Sequence, residues 1–362
     1  MLLTDKRKLN KSRINGFLGI LFAFILVGVT CITLPANAAP KGNESYLISL
    51  VSPSNKQPIF NPEKVHLGIT PTGWSNSDDR SIDTCPPTPY RQIISEIALS
   101  GFVGTQMSPA FPEYPKELEL LKSELGLRNV KISEPWVGTR FTEGKKAETI
   151  EEFKKQVQFM KDMGGKTIVV AEMSNAVHLT DVDPLVKRPH FSEDEWEQLT
   201  EGLNEIGAMA KSEGMQLMYH PHIGTGVENL ADIDRLMEKT KPEYVNLLLD
   251  TGHLYYAGVN PLDVTKKYIN RIKHVHLKNI RSAVLEKSKS TGRSFLDSIR
   301  AGIFTVPGDE NGAICFDPIL TTLAEANYEG WLMVEAEQDP NKANPLQNAL
   351  MARNYLRKVT GL

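Results

Sequence analysis

The chain has 362 residues, with 41 basic and 44 acidic side chains and a formal net charge of −3. Such a balance offers no basic excess for a nucleic-acid backbone, which excludes nucleic-acid binders. Three cysteines are too few for a disulfide framework, and the length suits one large α/β domain.

Residues 1–13 carry five Lys/Arg, residues 14–34 are almost wholly apolar, and Pro35-Ala36-Asn37-Ala38 follows. A positive start, an apolar run and an A-x-A site predict a secretory signal peptide over 1–38, and with it an exported, periplasmic or secreted protein. The apolar run is long enough to span a bilayer, so an uncleaved N-terminal anchor is the alternative. Cys31 lacks the small preceding residue of a lipidation site. Residues 39–64 show no sustained periodicity and several turn residues, and read as a linker. In an exported chain Cys85 and Cys315 could form one bridge.

From Val65 onward, short apolar runs alternate with amphipathic segments. Buried parallel strands are predicted over 65–71, 102–108, 129–135, 166–173, 216–222, 245–251, 273–279 and 330–337. Helices are predicted between them, among others over 149–164, 193–214, 261–272 and 317–328, with a last one over 344–359. This alternation over residues 65–362 predicts a (β/α)8 TIM barrel. A doubly wound open sheet competes, but no glycine-rich phosphate loop follows the first strand. Residues 280–312 exceed an ordinary connection and are expected to form a flap with its own short helix over the barrel mouth.

Functional groups of such a barrel sit at the C-terminal ends of its strands. The fourth predicted strand ends on Glu172, the fifth on His220 and His222, and the sixth on Asp250 with His253 just beyond. The seventh offers His274, His276 and Lys278, and the eighth Glu335, Glu337 and Asp339. Alternate residues of a strand share a face, so His274, His276 and Lys278 point one way, as do Glu335 and Glu337. Carboxylates and a histidine meeting at one point repel unless a cation or protons compensate them. Oxygen-rich ligation with one imidazole suits Mn²⁺, Mg²⁺ or Co²⁺, while zinc more often takes sulfur or several histidines. Taken singly, each strand-end acid also has a reading as a helix cap. His274 reads as a core or supporting histidine, and Glu337 as a supporting group or substrate contact. Trp74 and Asn76 are candidates for lining a sugar pocket, and Gln106 ends the second strand. His178 and His190 read as surface residues, and Gly224-Thr225-Gly226 as a turn.

The stretches "HPHIGTGVENL", "LLLDTGHLYYAG" and "HVHLKN" resemble the xylose isomerase-like sugar phosphate isomerase/epimerase superfamily. Within it, "GITPTGWSNSDD", "FTVPGDENGAICFDPIL" and "EGWLMVEAEQDP" are similar to the inosose dehydratase branch. The resemblance implies a barrel with one divalent metal, Mn²⁺ or Co²⁺ before Mg²⁺ or Zn²⁺, held at Glu172, Asp250, His276 and Glu335. It implies dehydration of a keto-inositol or related keto-polyol by α-proton abstraction and β-hydroxyl loss. Glu172 and Glu335 would be the proton-transfer pair, His253 a contact to a substrate hydroxyl, and His220, His222 and Lys278 the acid or hydroxyl recognition. A ketose isomerase or epimerase using the same site is one alternative, and an exported non-catalytic sugar-binding barrel is another. The expected partner is a small keto-polyol or sugar, with homo-oligomerisation left open. Gln106, Asn279 and "EPWVGTRF" depart from the dehydratase pattern.

Overall fold

The computed structural model describes residues 56–362, so the expected signal peptide, Cys31 and most of the expected linker lie outside the described residues. The strands are β1 (Val65–Ile69), β2 (Gly104–Thr105), β3 (Lys131–Ile132), β4 (Trp136–Thr139), β5 (Thr167–Glu172), β6 (Gln216–Tyr219), β7 (Val245–Asp250), β8 (Ile272–Leu277), β9 (Asn279–Ile280), β10 (Phe304–Thr305) and β11 (Gly330–Val334). Nine of them pair in parallel in the order β3-β2-β1-β11-β8-β7-β6-β5-β4.

The two ends of this order, β3 and β4, are consecutive in the chain, and that is how the barrel closes. The third strand expected over 129–135 is interrupted at Ser133-Glu134-Pro135, where proline has no N–H to give to a ladder. Backbone hydrogen bonds carry the sheet across the break. Ser133 donates to Thr105 at 2.9 Å, Met107 to Glu134 at 2.9 Å, and Val169 to Pro135 at 3.2 Å. Counting β3 and β4 as one strand, the barrel has the eight expected.

Alternation along the strands separates the inside of the barrel from its helix-covered outside. Val169, Met218 and Leu248 form a small buried cluster of their own, and Val169 pairs with Met218 across β5 and β6. Their neighbours Ile168, Val170, Leu217, Tyr219, Leu247 and Leu249 belong to the main core instead. Near the base of β2, Gly104 leaves room for an indole: a Cβ there would stand 2.1 Å from the Trp331 ring.

The predicted helices appear as Lys146–Met163, Glu193–Ser212, Pro261–Lys267, Phe316–Glu325 and Pro345–Thr360. Glu193–Ser212 starts at a reciprocal cap between Ser192 and Glu195. The end of the expected linker is not free. Ile59 donates to the Thr360 carbonyl of the last helix at 2.8 Å, and Phe60 is buried in the main core. Cys85 and Cys315 are both unpaired and exposed, so no bridge links them.

The stretch after β8 holds more than one short helix. It forms the antiparallel pair β9–β10 and two helices, Ser282–Thr291 and Phe295–Arg300. Phe295, Ile299 and Phe304 are fully buried beneath it.

Candidate metal centre and active-site cavity

Asp250 ends β7 and uses its two carboxylate oxygens differently. Oδ1 accepts the backbone N–H groups of Gly252 and His253, at 2.9 Å each, and so caps the helix Thr251–Tyr256. Oδ2 is buried without a hydrogen-bond partner, and so is the nearby His220 Nε2, 3.5 Å away. His276 Nδ1 lies 3.7 Å from the same Oδ2 and 2.6 Å from Glu335 Oε2. Two imidazole nitrogens and two carboxylate oxygens thus converge from four adjacent strand ends, all in buried side chains. Buried polar atoms normally have partners, so the two without one mark a place built for something else. Nitrogen and oxygen donors in this number fit a divalent transition metal, which His220, Asp250, His276 and Glu335 would hold.

Beneath this cluster runs Lys278, fully buried. Its Nζ donates to Glu337 Oε1 at 2.7 Å and to His253 Nε2 at 2.9 Å. It also stands 3.2 Å from Glu335 Oε2 and 3.5 Å from Asp250 Oδ2. Its stem passes so close to Gly252 that a Cβ there would meet Lys278 Cγ at 2.5 Å. The hydroxyl of Thr251 donates to the Lys278 carbonyl at 2.7 Å and accepts its N–H at 3.0 Å, fixing β8 to β7.

The electrostatics of the cluster favour positive charge. Burial works against ionising Asp250, but Lys278 and His220 outweigh it and hold the carboxyl well below its ordinary range. Burial likewise opposes ionisation of Glu335, yet Lys278 and His276 bring it to about 2. His276 moves the other way: despite burial, Glu335 and Glu134 raise it to about 10. Burial pushes His222 and His253 well below the usual imidazole value, so both are neutral. Burial also lifts Glu337, with Glu335 and Asp78 adding to it against the opposing pull of Lys278, to about 8.

Above the cluster opens a cavity of about 640 Å³, whose walls include His178, His220, His222, Glu335, Glu337 and Trp136. His222 is tied by its Nδ1, which lies 2.8 Å from the Ile223 carbonyl. The Trp136 indole nitrogen is 3.3 Å from His220 Nδ1. Asp78 and Gln106 also reach the cavity.

The structure does not bring Glu172 to the cluster. Glu172 shares the outward face of β5 with Ile168 and Val170, and its carboxylate is filled by loop donors. Thr139 Oγ1 donates at 2.6 Å, the N–H groups of Phe141 and Thr142 at 3.2 Å each, and the Thr142 and Ser174 hydroxyls complete the set. His220, on the inward face with Met218, stands in the place expected for Glu172. Trp74 is likewise elsewhere: it is buried in the core with its indole N–H donating to Glu96 Oε2 at 2.6 Å. Asn76 turns its Oδ1 to the N–H groups of Asp78 and Asp79, shaping the loop. His253 and Lys278 are not among the cavity walls but lie one layer below them, and the His253 ring packs 3.9 Å from that of His222. His178, expected at the surface, is buried at the cavity, 5.0 Å from the His222 ring. His190 is exposed as expected.

Several residues escaped the sequence reading, among them Asp78 and Trp136 at the cavity wall and, buried beside the cluster, Glu134. Glu134, at the break of the third strand, is fully buried with Oε1 3.4 Å from His276 Nε2 and Oε2 3.4 Å from His274 Nε2. The signal was the Pro135 beside it, which interrupts the strand and with it the simple alternation of faces.

A closed parallel barrel with imidazoles and carboxylates converging at its strand ends is the build of the xylose isomerase-like TIM barrels, and the model of that family matches residues 94–359. The chain is 46% identical over 305 residues to the inosose dehydratase of Clostridium botulinum (strain Alaska E43 / Type E3), covering 84% of this chain and 100% of that one. The inosose dehydratase of Geobacillus thermodenitrificans is 45% identical over the same shares. The chain belongs to the inosose dehydratase family of these barrels and is an enzyme of the hydro-lyase class. In fold it resembles the IolI protein solved with a bound zinc atom, at a TM-score of 0.58 and 17% identity over 82% of this chain and 98% of that one.

Proposed function

We propose that this chain removes water from a keto-inositol or a closely related keto-polyol, with a divalent ion held by His220, Asp250, His276 and Glu335. The observation that carries the reading is the meeting of two facts: dehydratase relatives matched over their whole length and a cavity lined by two of the four donors, His220 and Glu335, with Asp250 and His276 buried against them. When bound, the ion would polarise the substrate ketone and stabilise the negative charge that develops as the α-proton leaves. Two imidazoles beside two carboxylates suit Mn²⁺, Co²⁺ or Zn²⁺ better than Mg²⁺, and the zinc of the IolI neighbour is in keeping with this.

The protons move through the cavity wall. His222 donates from Nδ1 to the Ile223 carbonyl, which leaves its neutral Nε2 as the base for the α-proton. Glu337, which binds its proton up to about pH 8, protonates the departing β-hydroxyl so that it leaves as water. Glu335 serves as ligand at the same wall. Lys278 and His253 act from below by holding Glu337 and His222 in place. The leader expected over residues 1–38 would put this activity outside the cytoplasm.

The test is to incubate metal-loaded protein with 2-keto-myo-inositol and follow the ultraviolet absorbance of the dione product. Dione should form, stop on chelation and return with Mn²⁺ or Co²⁺. No dione, together with epimerisation of a ketose in a sugar panel, overturns the dehydratase reading. In the same preparation His220→Ala should lose the ion. Glu172→Gln should keep it while losing about 1–3 kcal/mol of stability from its loop hydrogen bonds.

A further inference from the structure

We propose that Glu134 is a positioning residue, which fixes the ring orientation and tautomer of His276 toward the divalent ion. The inference rests on the four-donor site above. Three observations carry it. First, His276 presents Nδ1 to Asp250 and Glu335, so only Nε2 remains to be satisfied on the far side of the ring. Second, that Nε2 is buried, has no other hydrogen-bond partner among the described residues, and faces Glu134 Oε1 at 3.4 Å. An N–H at Nε2 therefore has one acceptor to point at, and placing the proton there leaves the Nδ1 lone pair free for the ion. Third, each oxygen of Glu134 faces a nitrogen of the barrel interior. The Gln106 amide donates to Oε1 at 3.5 Å, and His274 Nε2, also lacking another partner, faces Oε2 at 3.4 Å. No lysine or arginine pairs with Glu134 among the described residues. Its carboxylate faces only Gln106 and the two histidines there, and so it reaches the ion through His276.

The interruption of the third strand is what makes this arrangement available. The backbone of Glu134 accepts from Met107 while Pro135 beside it accepts from Val169, so the residue sits at the seam where the sheet closes. A carboxylate entering at the seam reaches under His276 without displacing a ligand from any neighbouring strand end.

The experiment compares the full-length wild type with Glu134→Gln, which keeps size and can still accept but carries no charge. Co²⁺ serves as the probe, with affinity measured by equilibrium dialysis and the ligand field by its visible absorption. Affinity in the variant should fall on the order of 10–100-fold, with a changed Co²⁺ spectrum. A stability loss in chelator with unchanged Co²⁺ affinity and spectrum would mean a packing role only and overturn the proposal. Wild type that binds no Co²⁺ overturns the four-donor site, and this role with it. Should the variant not fold, ¹⁵N spectra of histidine-labelled, Zn²⁺-loaded wild type decide the matter: protonation of His276 at Nε2 is expected, and at Nδ1 is fatal.

Discussion

At the scale of single residues, Glu337 is the group whose titration the activity should report. Burial pushes its carboxyl up to about 8, and the proposed step uses the protonated form. The sign follows directly: the acid is loaded below pH 8 and emptied above it. On the acid side, burial keeps His222 neutral well below its usual value, so the base stays available. The kcat profile should therefore be flat near neutrality and fall through about pH 8. Glu337→Gln should remove that fall and lower kcat on the order of 10²–10⁴-fold. An unchanged alkaline limb in the variant would assign it to another group. Single residues were also where the sequence was read least well. The alternation of strand faces correctly set His276 with Lys278 and Glu335 with Glu337. Applied to the fourth strand, the same rule places Glu172 with Ile168 and Val170 on the outward face and frees the inward place for His220. Glu134 was harder to see, because its facing depends on a strand break rather than on parity.

Among the elements, the insertion after β8 carries weight beyond covering the mouth. Phe295, on its second helix, lies 5.5 Å from the His222 ring, 6.0 Å from His253 and 6.2 Å from His178. The proposed base therefore rests on a side chain contributed by the insertion. Arg300 ties the same helix to Asp79, near the end of the first strand's loop, at 2.8 Å. Phe295→Ala should cost about 3–5 kcal/mol of stability, read by denaturant unfolding. It should also raise KM, since the imidazoles lose their backing. A KM at the wild-type value would show that the insertion only covers. That an insertion exists was legible from the length of the stretch between two strands. Its hairpin and two helices were not, because short elements stabilised by contacts to the barrel leave little periodicity of their own.

For the molecule as a whole, eight apolar runs alternating with amphipathic segments narrowed the fold to a barrel or a doubly wound sheet, and the missing glycine-rich loop after the first strand favoured the barrel. What parity and spacing could not supply was closure, which depends on three residues between β3 and β4. At this scale the expected signal peptide makes its own prediction: protein recovered from the producing cells should begin at Ala39 by N-terminal sequencing. A chain that keeps residues 1–38 and sediments with membranes would favour the anchor. The same whole-molecule view gives the "DTGH" stretch a meaning beyond its ligand. Gly252 leaves the channel through which the Lys278 stem passes, and Thr251 grips the backbone of that same lysine. Glycine and lysine, 26 positions apart in sequence, are therefore a single heritable unit. A lineage that replaced the lysine could let the glycine drift, whereas one that enlarged the glycine first would push the ammonium away from three carboxylates at once. The order in which these two positions change is constrained by packing before any chemistry is tested.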